Sequence, residues 1–157
     1  MTHAQSQEKS SNSSNHSLAP TLARVALGLI FTVFGLNGFF HFLPQPPLEG
    51  TALQFVGGLA AAGYFFPLLK GTEVLVGLAL LSGRYVPLAL TVLAPISINI
   101  FAFHAFVAGA GLGLPLVILA LQLFLAWQNR AAYSAVLAAK AQPVRRETTE
   151  RHPSYAH

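Results

Sequence analysis

A lysine and a glutamate lie three positions apart in an otherwise apolar stretch of the sequence, as Lys70 and Glu73 of FFPLLKGTEVLVG. Residues three apart on a helix share one face, so we expect the two side chains to meet. A charge at the centre of a bilayer costs about 2.5–3.5 kcal/mol on insertion scales, and it should therefore face other helices and have a partner. The pattern predicts either a structural ion pair or a carboxylate that serves a ligand or a proton.

Five further polar residues interrupt neighbouring apolar stretches. Histidine changes charge near neutral pH, so His41 or His104 could complete a proton path from Glu73. The alternative is that both histidines, which stand in GFFHF and FAFHAF, belong to an aromatic belt at the membrane interface. Asn37 and Asn99 have the alternative role of hydrogen bonding between helices, and Gln122 is interpreted in the same way.

The residue types that are missing exclude several chemistries. The sequence has no cysteine and no aspartate, so this chain provides no disulfide and no thiolate ligand for zinc or iron–sulfur clusters. Only Glu49 and Glu73 lie outside the polar ends, which leaves little basis for paired-carboxylate chemistry. Two histidines without a third and fourth ligand predict no metal site.

The elements that must position these residues are long apolar segments. Hydrophobic residues make up 54% of the chain and charged residues 9%, against about 25% charged residues in soluble domains. Stretches of about 20 apolar residues can cross a bilayer core of ~30 Å. We predict four such spans: Pro20 to Leu43, Pro67 to Gly83, Pro87 to Val107 with a kink at Pro95, and a last span from Leu114–Pro115 to about Ala139.

Prolines and glycines support this division. The predicted first turn of each span contains a proline, namely Pro20, Pro67, Pro87 and Pro115. An N–H at this position has no partner within the helix, so its absence in proline costs no hydrogen bond. Glycines at helical spacing, Gly28 and Gly35 in the first span and Gly71, Gly77 and Gly83 in the second, favour close helix packing.

The predicted fold is all-α, an integral membrane four-helix bundle with an extra short helix over residues 51–66. That segment is broken by glycines and is rather short for a span, so we expect it to lie at the interface or to re-enter the membrane. Residues 1–19 are rich in Ser, Asn and Gln and are predicted to be a disordered cytoplasmic segment. Residues 20–139 form the transmembrane domain, and residues 140–157 a polar cytoplasmic tail.

The basic residues predict the orientation of the chain. Short loops that are rich in Lys and Arg remain in the cytoplasm. With four spans, one side receives eight of the nine basic residues, and the loops on the other side receive none. The net charge of +4 therefore indicates membrane topology rather than nucleic-acid binding, since no basic stripe follows a soluble face. These eight are Lys9, Arg24, Arg84, Arg130, Lys140, Arg145, Arg146 and Arg151.

With both termini in the cytoplasm, three helices place polar groups at a similar height in the outer half of the membrane, at about 1.5 Å of rise per residue. Asn99 and His104 are five apart, so only one of them faces the cluster unless Pro95 changes the helix. Lys70 sets the local charge of this site, or it extends its amine to the outer interface. The candidate ligand-binding or proton-relay residues are Asn37, His41, Lys70, Glu73, Asn99 and His104.

Over residues 22–139 the chain resembles the DoxX family of small four-helix bacterial membrane proteins. The resemblance depends on RVALGLIFTVFGLNGF, which starts at Arg24, on Glu73 in EVLVGLALLSGRY, and on NIFAFH in the third span. It implies a membrane subunit that some members link to sulfur oxidation with quinone as acceptor. It also implies wider relatives that act as assembly chaperones or cargo receptors.

Two functions follow from the residues and the resemblance together. The first is an accessory subunit of a redox system in the bacterial cytoplasmic (inner) membrane, with an outer-leaflet polar pocket for a quinone-like ligand and a soluble or membrane oxidoreductase as partner. No cofactor is expected to be held covalently. The second is a non-enzymatic membrane scaffold or assembly chaperone, in which the polar residues only hold the helices together. Both predict contact with the lipid bilayer and allow a homo-oligomer.

Overall fold

The computed structural model describes the backbone of residues 4–134 and the side chains of residues 18–134. The tail predicted for residues 140–157 lies outside the described residues, as does the end of the last predicted span. The described part is helical throughout, with short connections. Its elements are α1 (Ala4–Phe40), α2 (Gly50–Ala61), α3 (Phe65–Ser82), α4 (Val86–Ala102) with a π-helical continuation (Phe103–Ala108), α5 (Gly113–Gln128) and α6 (Arg130–Tyr133).

Three helical segments are long and apolar enough to cross a membrane, namely Leu18–Phe40, Phe65–Ser82 and Val86–Ala108. They coincide with the first three predicted spans and indicate a membrane protein. The apolar α2 and α5 are shorter, with 12 and 16 residues. At about 1.5 Å per residue, α5 extends over roughly 24 Å, less than the hydrocarbon core.

The fourth predicted span differs from the structure at its end. We expect one helix to about Ala139, whereas α5 ends at Gln128 and α6 begins at Arg130. Between them, Asn129 donates a side-chain hydrogen bond to the carbonyl of Leu125 at 2.7 Å. An amide that bonds the preceding turn in this way competes with helix continuation, which accounts for the break.

The N-terminal segment is a further difference. Residues 1–19 are predicted to be disordered, but the backbone is helical from Ala4 and runs without interruption into the apolar part of α1. A helix that is already nucleated gains residues at little cost, since only the first turn carries the nucleation penalty. Pro20 consequently lies inside α1 and not in its first turn. Pro67, Pro87 and Pro115 lie in the first turns of α3, α4 and α5, as predicted.

Helices α1 and α3 run antiparallel and form the closest helix pair. A Cβ placed on Gly28 would lie 3.0 Å from the carbonyl oxygen of Gly77, and one on Gly77 would lie 2.7 Å from the backbone nitrogen of Thr32. Only glycine allows this approach of two backbones, which confirms the predicted packing role of Gly28 and Gly77. The expectation for Gly71 is wrong, because nothing lies within 4 Å of a Cβ there.

The apolar core lies where α4 and α5 meet this pair. Helix α5 runs antiparallel to α4 and also contacts α1. The side chains of the core are fully or almost fully buried. Its largest members are Leu27, Phe31, Leu80, Leu90, Leu93, Ile118 and Leu125.

Candidate functional site

The predicted meeting of Lys70 and Glu73 is confirmed. Nζ of Lys70 lies 2.8 Å from Oε2 of Glu73, within hydrogen-bond distance and on one face of α3. The Glu73 side chain is 2% exposed, whereas that of Lys70 is 23% exposed. The carboxylate is therefore enclosed by protein, and the ammonium group connects it to the outside of the bundle.

Helix α1 forms the wall behind the pair through two glycines. A Cβ on Gly38 would collide with the aliphatic part of Lys70, and a Cβ on Gly35 would lie 3.1 Å from the Cβ of Glu73. The pair thus lies in the interface between α1 and α3, where glycine leaves room for its side chains. Sequence analysis identified Gly35 as a packing residue but missed Gly38, although its position three residues after Gly35 was a usable signal.

Asn37 and His41 do not form a shared polar face. Asn37 is buried, and its Oδ1 accepts a hydrogen bond from the backbone N–H of Leu43 at 2.6 Å. His41 lies just beyond α1 in a left-handed conformation with φ of 52°, exposed at the surface. Asn37 therefore stabilises the end of α1 and the turn after it, and His41 has left the helix on which the four-residue spacing would align them.

His104 lies in the π-helical segment that follows α4. Its Nδ1 is 2.8 Å from the carbonyl oxygen of Ile100, so Nδ1 carries the proton and donates it there. In the neutral ring this leaves Nε2 as an acceptor. The ring makes an edge contact with Phe103, whose ring in turn lies 5.8 Å from that of Phe55 in α2. π-helical turns are rare in proteins, and those that occur are often found at functional sites. The π-helical segment therefore supports His104 as a candidate.

Asn99 is separate from the other candidates. It is exposed on the outer side of α4, and its side chain makes no hydrogen bond with the described residues. This agrees with the expectation that only one of Asn99 and His104 can face the bundle. The assignment of Asn99 to the polar cluster is corrected, because its exposed side chain has no hydrogen bond to the other candidates and residues five apart lie about 140° apart on a regular α-helix.

The arrangement can bind an acceptor through Lys70. Its ammonium group has three donors, of which one is used by Glu73. Among the described side chains, no three His or Glu residues come close enough to hold one metal ion. The group at this end of the bundle is therefore a charged hydrogen-bond donor held by a buried carboxylate.

Sequence analysis missed the contact made by Arg24, which it used only for topology and for the family resemblance. Nη1 of Arg24 donates to the carbonyls of Leu80 and Leu81 in the last turn of α3, where the carbonyl of Leu80 also accepts from the N–H of Gly83 at 3.1 Å. A cation at a helix C-terminus is also favoured by the helix dipole. The spacing of Arg24 from the end of the second span was a signal only if the antiparallel pairing was already known.

A cavity of about 290 Å³ lies between α4 and α5. None of the six predicted site residues lines it. Gln122, which the sequence assigns to helix packing, does line it and donates from Nε2 to the carbonyl of Leu90 at 3.0 Å.

Comparisons of the chain with protein-family models, with curated proteins and with solved structures give no match.

Proposed function

We propose that the chain is a multi-pass, DoxX-like protein of the bacterial cytoplasmic membrane and an accessory subunit of a redox system. In this proposal Lys70 binds the polar head of a quinone-like ligand from the outer leaflet, and Glu73 holds the ammonium group in position. The observation that carries the proposal is an ion pair with a buried carboxylate inside an apolar helix that is long enough to span a membrane. Ionisable residues at such positions are by default candidates for function.

The donor set fits a quinone-like ligand. A quinone carbonyl accepts hydrogen bonds, and Lys70 has two donors beyond the one that Glu73 uses. Its 23% exposure gives access from outside the bundle, while Glu73 stays enclosed. When bound, such a ligand supplies the electron acceptor that the side chains of this chain cannot provide, since the sequence contains no cysteine. His104, with Nε2 free to accept, is a second candidate contact at the same end.

The alternative function, a non-enzymatic scaffold or assembly chaperone, is favoured by a different observation. Glu73 already has a partner at 2.8 Å and is 2% exposed, so its carboxylate needs no ligand for its charge to be compensated. The glycines that receive the pair are consistent with a purely structural contact between α1 and α3. The two functions differ in whether the charges can be removed together without loss of a ligand.

The test compares the native protein with the double variant Lys70→Met/Glu73→Gln, which leaves no buried charge unpaired. Both proteins are purified from membranes under mild conditions, and co-purifying quinone and proteins are identified by mass spectrometry. We expect quinone and an oxidoreductase with the native protein and at least a tenfold loss of quinone from the folded double variant. The exposed Arg84→Met is the matched control for loss of a cation and should retain the ligand. Equal quinone retention by a folded double variant would favour the scaffold.

The orientation has its own test. The proposal includes four crossings, with α5 and α6 completing the last one, and both termini in the cytoplasm. Reporter fusions at Gln45 and Gly111 should then read as external, and a fusion after Lys140 as cytoplasmic. A cytoplasmic reading at Gln45 contradicts the four-span topology whatever the outcome of the quinone experiment.

A further inference from the structure

The cavity between α4 and α5 is a groove with apolar walls, and its lining includes the buried polar side chain of Gln122. Its volume of about 290 Å³ is nearly twice the ~150 Å³ of a cavity that holds benzene, so it has room for a chain of several carbon atoms. Ile98 and Leu123 at its rim are exposed, which opens the groove toward the surroundings of the bundle. In a spanning bundle these surroundings are lipid.

The polar side chains in the groove donate to backbone carbonyls of α4. Nε2 of Gln122 donates to Leu90, at 3.0 Å. The hydroxyls of Thr91 and Tyr133 both donate to the carbonyl of Pro87, at 2.9 and 3.0 Å. These bonds use both hydroxyls and one of the two N–H groups of Gln122.

One acceptor in the same walls lacks a partner. Oε1 of Gln122 is buried and makes no hydrogen bond with the described residues, on a side chain that is 6% exposed. An acceptor that stays unpaired away from water is unfavourable, so this atom favours an occupant with a donor.

We propose that this groove binds the hydroxyl end of a long-chain or isoprenoid alcohol of the membrane. The hydroxyl donates to Gln122 Oε1, and the first part of the hydrocarbon chain lies along Ala94 and Ala126 before it leaves between the rim residues. The apolar walls match the chain, and the unpaired oxygen of Gln122 matches its single donor. Neither Lys70 nor Glu73, which form the proposed quinone contact, lines this site.

The experiment uses the full chain in phosphatidylcholine nanodiscs and two photoactivatable probes. One probe is a long-chain alcohol with a diazirine near the hydroxyl, and the other is its methyl ether, which has the same chain but no donor. Labelled peptides are identified by mass spectrometry. We expect the alcohol to label α4 and α5 about five- to tenfold more strongly than the ether, as the loss of one hydrogen bond in an apolar site implies.

Two pairs of variants locate the effect. Gln122→Leu removes the unpaired oxygen and should bring the ratio of alcohol to ether labelling close to one. Ser97→Ala removes a different buried hydroxyl without a partner that does not line the groove, and should keep the ratio. Ala126→Leu fills the groove and should reduce labelling by both probes, whereas Ala120→Leu on the exposed side of α5 should not.

Several results would overturn the proposal. A ratio near one in the native protein means that water or an acyl chain occupies the groove. An unchanged ratio in Gln122→Leu means that the hydroxyl binds elsewhere. A further comparison places two copies of the chain in one nanodisc. If labelling then falls and cross-links form between the two α5 helices, a second copy of the chain occupies the groove. If Gln122→Leu does not fold, the matched Ala126→Leu and Ala120→Leu variants decide, and equal labelling of both contradicts the site.

Discussion

The interface between α1 and α3 and the interface between α4 and α5 are built in opposite ways. In the first, glycines bring two backbones together, and each charged group inside it is engaged, Arg24 with carbonyls and Lys70 with Glu73. In the second, a groove remains between the helices, and Gln122 in its lining has an unpaired oxygen. The hydroxyl of Thr32 in the first interface also lacks a partner, but the backbones there are too close to admit another molecule, whereas the second interface leaves volume for one.

This difference separates stability from binding within one small bundle. Close packing and paired charges lose free energy when any partner is removed, because little can move to compensate. In an open groove with an unpaired acceptor, a substitution should lower the free energy of unfolding less, and removal of the polar atoms can leave it unchanged. Substitutions in the two interfaces should therefore differ in size and even in sign.

The largest expected effect follows from breaking the ion pair at one end only. Lys70→Met leaves the charge of Glu73 buried in the α1–α3 interface, and we expect a loss of about 3–5 kcal/mol in the free energy of unfolding in detergent. Adding Glu73→Gln should restore much of this loss, since no unpaired charge then remains. Reversible unfolding of four proteins, the native protein, Lys70→Met, Glu73→Gln and the double variant, is followed by circular dichroism and measures the coupling. Additive effects of the two substitutions would contradict a direct interaction.

The glycine contact should give the next largest effect. Gly77→Ala places a methyl group 2.7 Å from the nitrogen of Thr32, so α1 and α3 must separate. Such overpacking costs about 1–3 kcal/mol in the free energy of unfolding. Gly71→Ala on the same helix is the matched control, because its Cβ meets nothing within 4 Å, and it should cause no loss. Alanine has a higher helix propensity than glycine, so propensity alone would stabilise both variants. Equal destabilisation by both would contradict the backbone contact at Gly77 as its cause.

The sequence predicted the parts of this comparison that depend on local spacing. Lys70 and Glu73 are three apart on one helix, so their contact follows from helix geometry alone, as does the position of Pro67, Pro87 and Pro115 in first turns. It did not predict that His41 lies outside α1, because one residue in a left-handed conformation changes its direction without a change in hydrophobicity.

Contacts between helices were harder to predict from the sequence. Gln122 was assigned to packing, and this was half correct, since one of its atoms bonds Leu90 and the other is unpaired. Whether a polar residue in an apolar helix is satisfied depends on the rotation of the helix and on its neighbour, which a single sequence does not contain. The same reason explains why Asn99 was grouped with residues that it does not approach.

A small effect is expected at the open interface. Gln122→Leu loses the hydrogen bond to Leu90, worth about 0.5–1.5 kcal/mol, but it also removes an acceptor whose burial costs about 1–3 kcal/mol. We therefore expect the unfolding free energy without added alcohol to stay equal or to rise by up to about 1 kcal/mol. The measurement is unfolding in detergent beside the native protein. A loss above about 2 kcal/mol would mean that Gln122 Oε1 is satisfied in the folded protein and would remove the contrast with the α1–α3 interface.

The smallest effect is expected for Asn99, which belongs to neither interface. Its side chain is exposed on the outer side of α4 and makes no hydrogen bond with the described residues, so Asn99→Val removes no contact within one chain. We expect a change within about 0.5 kcal/mol in the free energy of unfolding, as for surface positions without special features. Asparagine can however bond an identical residue across a two-fold axis, because its amide contains both a donor and an acceptor. Unfolding is therefore measured at several ratios of protein to detergent. A destabilisation above about 1 kcal/mol that grows with this ratio would show that the outer face of α4 binds a second copy through Asn99, and it would add a third interface to the two compared here.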